Sequence, residues 1–376
     1  MRKLLPVVLA LLPAAQAQGA DPLAPLLEFA KQQPGDLAVF VASVRPDGSP
    51  DSARPALVWN PTASMPLASS RKIVVLSAYA RAVAAGKLNP QVLVKLSEWE
   101  EFYLPGTDGG AHAKSLAALN LPADSQGRAQ DGSRAVPLDT VVRFMIETSD
   151  NAAADLVLTR LGRDAVAEIR RDLKLSGQEE FGPFSGLFSA WQDPAARADY
   201  SRWPMLRRVS DAWSRTAQLS RTPALRDPET VRQGLPTRED QAALVDATDA
   251  HGTVSDYAGL MAQVLTGAGL KPAEREVMAR HLGWPMRLNP ANAQAFSEVY
   301  AKGGSLPGVL TNTYALAPKV GPHKGEKLVV SLFLRRIPEE QYGLLEASMN
   351  DAMVYLALVP GQAQRLADVL NAAPGP

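Results

Sequence analysis

The order of apolar patterns predicts an α/β (α+β) protein, with an antiparallel five-stranded sheet built from both chain ends and an all-helical region inserted between them. Two observations carry this: β-rich runs cluster near the termini, and the middle of the 376-residue chain reads as helix. Leu37–Val44 is a β-rich run closed by Arg45-Pro-Asp-Gly48, a hairpin turn signal, and residues 55–59 form the return strand. Near the other end, residues 296–300, residues 311–316 and Leu328–Leu334 supply three more strands, and the short loops between them favour antiparallel neighbours. A sheet assembled this way needs a middle that leaves and returns.

That middle is helical. Lys72–Ala84 is almost continuously apolar (Ile73, Val74, Val75, Leu76, Ala78, Tyr79, Ala82, Val83), the mark of a helix buried on most sides. Residues 138–148 and 152–161 bracket a Ser-Asp-Asn turn, and Gly162 ends the second as a C-cap. Residues 164–175, residues 255–265 and Pro272–Leu282 follow, the last with proline in its first turn. Residues 341–358 make a terminal helix suited to covering one sheet face. The expected division is a sheet domain of residues 18–62 with 290–376, and a helical domain of residues 63–289. Residues 104–137, rich in Gly, Asp, Ser and Ala, read as a long surface excursion. Residues 178–240 hold Trp191, Trp203, Trp213 and nine arginines between Arg197 and Arg238. Those aromatics either line a substrate groove or, the ordinary outcome, pack underneath while the charges stay solvated.

Residues 1–17 read as a signal peptide: Arg2 and Lys3, then an apolar core from Leu4, then Ala15-Gln-Ala17 as a small-residue cleavage site. The run is too short to span a bilayer, and no later stretch is long and apolar enough, so the mature chain is expected to be secreted or periplasmic with no membrane span. Removing Arg2 and Lys3 leaves acidic residues two ahead of basic ones, dispersed, which offers no footprint for nucleic acid. Cysteine is absent, so disulfides and thiolate sites are excluded, and the four histidines (His112, His251, His281, His323) lack metal-ligand spacing. They are expected to be solvated or packed. No metal or cofactor is expected, and the chain is expected to be a monomer.

Three short motifs carry chemistry. Ser69-Ser-Arg-Lys72 sets a serine at the mouth of the buried helix, where free backbone N–H groups stabilise negative charge, with a lysine three residues on along the same face. A lysine in a low-dielectric site can lose its proton and serve as base for that serine. Ser149-Asp-Asn151 lies between two helices, where the serine can relay a proton and the asparagine can hold Lys72 or a substrate amide; plain helix capping is the competing reading. Lys302-Gly-Gly-Ser305 follows a strand, offering a fixed charge, glycines at Gly303 and Gly304 that admit a substrate backbone, and the N–H of Ser305 as an oxyanion donor beside that of Ser69. Each motif alone has an ordinary structural explanation; three in this order do not.

The combination resembles the penicillin-recognising serine hydrolases, most closely class A β-lactamases, over nearly all of the mature chain. The likeness includes Phe144-Met-Ile146 before the second motif and Leu306-Pro-Gly308 after the third. It implies a β-lactamase/transpeptidase-like fold and a catalytic Ser69 that attacks a β-lactam or peptide carbonyl to form an acyl-enzyme. By the same resemblance Lys72 assists deprotonation, Ser149 shuttles the proton, Asn151 orients substrate, and Lys302 lies near the substrate carboxylate. The function implied is β-lactam hydrolysis, hence antibiotic resistance, on a small-molecule β-lactam or a peptidoglycan peptide. A D-alanyl-D-alanine peptidase or esterase, and an inactive peptidoglycan-binding protein, are the alternatives. The sequence departs from class A in three places. The Glu-x-x-Leu-Asn loop that activates the deacylating water is missing, leaving Glu179 and Glu180 as candidate bases; Gly303 stands where the third motif carries a hydroxyl; and residues 313–316 lack an arginine.

Overall fold

A computed structural model describes residues 21–373, so the expected leader lies outside the described residues. Five strands form the main sheet: β1 (Leu37–Val44), β2 (Pro50–Trp59), β3 (Phe296–Leu306), β4 (Val309–Pro318) and β5 (Leu328–Leu334), in the order β2-β1-β5-β4-β3. The pairings of β1 with β2 and β5, and of β4 with β5, are antiparallel. The two chain ends therefore meet at the β1–β5 ladder, where Val39 stands opposite Leu332.

Side-chain alternation assigns the faces. Leu37, Val39 and Val41 join Leu310, Tyr314, Val330 and Leu332 in one core cluster with the helices Ala24–Gln32, Glu339–Leu358 and Gln362–Ala372. On the opposite face the helix Val254–Thr266 packs against β1 and β5, with the Tyr257 and Phe333 ring centroids 5.5 Å apart. Covered on both sides, β5 is buried at every position, which explains why its sequence is apolar throughout except at Ser331 and does not alternate. Each fully buried Leu or Val here contributes roughly 1.5–3 kcal/mol of transfer free energy.

The described residues divide into two compact units: residues 21–65, 253–303 and 310–373 form one, and residues 66–252 and 304–309 the other. Residues 253–289 thus cluster with the sheet, where the sequence suggested the helical domain. The reason is the apolar face of Val254–Thr266, which β1 and β5 bury. No helix of the described residues is long and apolar enough to cross a membrane.

The second unit is mostly helix around the buried helix Lys72–Ala84. The stretch 104–137 is more than a surface excursion: within it the helix Ala111–Ala118 buries His112 and Ser115. Residues 184–248 form the helices Phe184–Gln192, Pro194–Tyr200, Met205–Arg221, Pro228–Gly234 and Arg238–Thr248. Phe184–Gln192 and Met205–Arg221 cross closely at Gly186, where an added Cβ would lie 1.9 Å from the Ala212 carbonyl oxygen. The tryptophans of this insert pack. Trp191 is buried with Nε1 donating to Thr248 Oγ1 at 3.0 Å, and Arg207 lies 3.8 Å over the Trp203 ring.

Candidate active site

Met65-Pro-Leu-Ala68 delivers the chain into a 3₁₀ turn, Ala68–Arg71, that runs directly into Lys72–Ala84. Ala68 has a φ of +46°, a left-handed conformation that costs an L-residue about 1–2 kcal/mol. The surroundings hold it there. Its N–H donates to the Asp249 carboxylate at 2.7 Å, and the N–H of Leu67 donates to the Ala250 carbonyl at 3.0 Å. Asp249 also pairs with Arg71 Nη1 at 3.1 Å, both side chains buried.

Ser69 and Lys72 meet as their spacing predicts. Lys72 Nζ donates to Ser69 Oγ at 3.0 Å, and the same nitrogen lies 2.7 Å from Asn151 Oδ1, 2.5 Å from the Ser149 carbonyl and 3.3 Å from Ser149 Oγ. Lys72 is fully buried. The Ser149 carbonyl and the Asn151 amide oxygen can only accept, so two N–H bonds of the amine point to them. In the neutral amine that leaves the lone pair toward the two hydroxyls, the geometry a base for Ser69 requires.

The turn bearing Ser149 is also strained, with φ at +66°. Asp150 anchors it from behind. This residue is the N-cap of the helix Asn151–Leu161, accepting from the Ala153 N–H at 3.0 Å, while its second oxygen lies 2.8 Å from His112 Nδ1. His112 Nε2 lies 3.3 Å from Glu100, and Trp99 and Tyr103 enclose the ring. Burial acts to lower the His112 pKa, but Asp150 and then Glu100 outweigh it and raise it to about 9, so the imidazole is cationic at neutral pH. Burial likewise opposes ionisation of Asp150, yet the His112 cation brings its carboxyl below the usual range. Within the motif Asp150 caps the helix, while Ser149 and Asn151 face Lys72.

A third wall is aromatic. The Phe184 ring lies 4.7 Å from Lys72 Nζ and 3.5 Å from the Arg71 guanidinium carbon. Asp155 fixes that ring's backbone by accepting the N–H groups of Phe184 and Ser185, each at 2.7 Å, and burial pushes its carboxyl up to about 6.

The remaining sequence-predicted residues fall as follows. Glu179 accepts the His251 N–H at 3.0 Å and lies 3.5 Å from His251 Nδ1; burial acts against its charge, but His251 wins and lowers its pKa. Glu180 pairs with Arg170 at 3.5 Å. Both carboxylates border a cleft of about 320 Å³, including open solvent, also lined by Arg71, Tyr200 and Arg208. Lys302 is buried on β3, donates to the Gly303 carbonyl at 2.5 Å, and is pushed down to about 7 by burial alone. Residues through Gly303 belong to the sheet unit, while Gly304 and Ser305, half-buried and exposed, belong to the unit that holds Ser69.

Across most of the chain, residues 23–337, the sequence matches the profile of the β-lactamase enzyme family. This chain belongs to that family. As a member it is a β-lactamase-like serine hydrolase. No functionally curated protein matches the sequence significantly. Among solved structures, a β-lactamase from Sphaerobacter thermophilus is 18% identical, with 94% of this chain and 98% of that one covered at a TM-score of 0.51. A β-lactamase from Chitinophaga pinensis is 14% identical, with 88% and 97% covered at 0.51. A variant of the last common ancestor of Gram-negative bacteria β-lactamase class A is 15% identical, with 88% and 97% covered at 0.50. At such identities the likeness is one of fold.

Within this β-lactamase-family chain, one departure has a steric reason. A Cβ at Gly303 would come within 3.2 Å of both Asn312 Oδ1 and the Thr311 carbonyl on β4, so a side chain at the position that would carry a hydroxyl residue requires those neighbours to give by a few tenths of an ångström. Sequence reasoning missed His112, Glu100, Asp249 and Phe184. His112, Glu100 and Asp249 are buried charges with no local spacing signal, and Phe184 reads in sequence as an ordinary apolar residue.

Proposed function

We propose that this protein is an exported serine hydrolase that opens the β-lactam amide through an acyl-Ser69 intermediate. Ser69 is the nucleophile, Lys72 takes its proton, Ser149 passes a proton to the leaving nitrogen, and Asn151 orients both lysine and substrate. Lys302 would meet the substrate carboxylate, and the backbone N–H groups of Ser69 and Ser305 would receive the oxyanion, with Gly304 leaving room for the substrate. The observation that carries this reading is one buried amine within hydrogen-bond reach of Ser69, Ser149 and Asn151 together.

A second reading, a slowly deacylating D-alanyl-D-alanine peptidase or esterase, draws support from the wall beside that amine. Glu179 is engaged by His251 and Glu180 by Arg170, and an aromatic ring lies against Lys72. An activated water needs a free base there. One experiment separates the two readings: the mature protein is mixed with a chromogenic cephalosporin, and colour and intact mass are followed together. Sustained turnover supports the lactamase. A stoichiometric adduct that Ser69→Ala abolishes supports the peptidase or esterase, and the absence of both colour and adduct sinks both.

A further inference from the structure

We infer that Asp249 and Arg71 are positioning residues for the nucleophile, a buried pair that straddles Ser69 and fixes the direction of its amide. The inference rests on the reading of Ser69 as the acylated residue. One carboxylate oxygen of Asp249 takes the N–H of Ala68, the residue before Ser69, at 2.7 Å; the other takes Arg71 Nη1, two residues after it, at 3.1 Å. The direction of the Ser69 N–H is set by the backbone angles of Ala68. Nothing in an alanine side chain favours a φ of +46°, so relaxation toward ordinary values would swing the peptide away from a developing oxyanion. The carboxylate that grips both flanks of Ser69 resists that swing.

Arg71 completes the brace, because its guanidinium carbon lies 3.5 Å over the Phe184 ring and 5.2 Å over Phe181. The helix Lys72–Ala84 receives no side-chain bond from its own N-cap residue, Arg71, whose guanidinium is turned to Asp249 instead. Asp249 directly follows the helix Arg238–Thr248, so the exit of the long helical insert is tied to the nucleophile turn. A buried pair is expensive to desolvate, and an apolar pair of similar volume would hold the fold as well. Its placement astride Ser69 is what the reaction needs.

The test uses the mature protein and a fluorescent penicillin, with acylation followed by stopped flow and by intact mass. The double variant Asp249→Leu/Arg71→Met removes both charges at once, so neither is left buried alone. Its acylation rate constant is expected to fall at least about thirtyfold, while the dissociation constant of the noncovalent complex stays within about threefold. Val245→Ala, a buried change in the preceding helix, serves as the stability control and is expected to acylate within about threefold of the wild type. The clamp is overturned if the folded double variant acylates within about threefold of wild type, or if the control loses as much rate for the same thermal shift. Should the double variant fail to fold, Arg71→Met decides: a fall of about tenfold supports the clamp, and a rate within about threefold overturns it. A wild-type protein that gives no Ser69-dependent adduct overturns both this inference and the reading beneath it.

Discussion

At Lys72 the packing makes a demand that substitution can test directly. The amine must point two N–H bonds at the Ser149 carbonyl and Asn151 Oδ1 if its remaining valence is to face Ser69. Removing the amine in Lys72→Met is expected to slow acylation by at least about a hundredfold, the usual scale for a positioned base. Removing one anchor in Asn151→Ala leaves the amine in place but less well aimed, with an expected loss of about tenfold. Stopped-flow acylation measures both, and a Lys72→Met protein that acylates within about tenfold of wild type would remove the lysine from the mechanism. This much of the site was legible in sequence because it is local: residues three apart at a helix start share a face whatever the rest of the chain does. The partners of that local unit were not. Asp150 reaches His112 across 38 residues and Arg71 reaches Asp249 across 178, and no spacing rule addresses contacts of that range.

Among the elements, legibility followed pattern length. The helices Lys72–Ala84 and Pro272–Leu282 and the strands β1 and β5 have the boundaries their apolar periods suggest, since long patterns leave one solution. The strand expected at 55–59 begins earlier, at Pro50, and the helix expected at 164–175 is shorter, Ala165–Asp172, because ladder and cap geometry set the ends and propensity does not. The insert was opaque for a different reason. Its helices run from 7 to 17 residues, and their stability comes from packing on one another, which a single-sequence pattern does not display. Gly186 shows how tight that packing is. Gly186→Ala forces a methyl group against the Ala212 backbone, which a flexible side chain cannot relieve. The expected cost is about 3 kcal/mol, read as a lowered midpoint in urea at unchanged slope. A wild-type midpoint would mean that the two helices separate easily and that their crossing is not rigid.

Across the whole molecule, three buried ionisable groups give stability a distinctive response to pH. Asp155, raised to about 6, binds its proton more tightly when folded, so stability falls as pH rises from 3.8 toward 6 and is level beyond. His112, raised to about 9, contributes in full below 6.5, and its contribution is lost as pH climbs through 9. Lys302 runs the other way. Lowered to about 7, it holds fewer protons folded than unfolded between 7 and 10.5, so stability rises across that range. Between pH 7 and 9 the histidine and lysine slopes are opposite and each about 1.4 kcal/mol per pH unit, so they oppose one another. His251, raised above its ordinary value by Glu179 against the effect of burial, adds to the histidine side just above 6.5. Urea unfolding of the wild type is therefore expected to give a nearly level free energy from pH 7.5 to 9. Lys302→Met, which leaves the histidines unopposed, is expected to lose stability steadily over that interval, and His112→Phe to gain it. Because the two groups belong to different compact units, the same series also shows which unit each slope belongs to if the units unfold in separate steps. Parallel curves for wild type and both variants would show that neither group binds its proton as assigned, and with His112 neutral the ion pair holding Asp150 behind Ser149 would lose its cation.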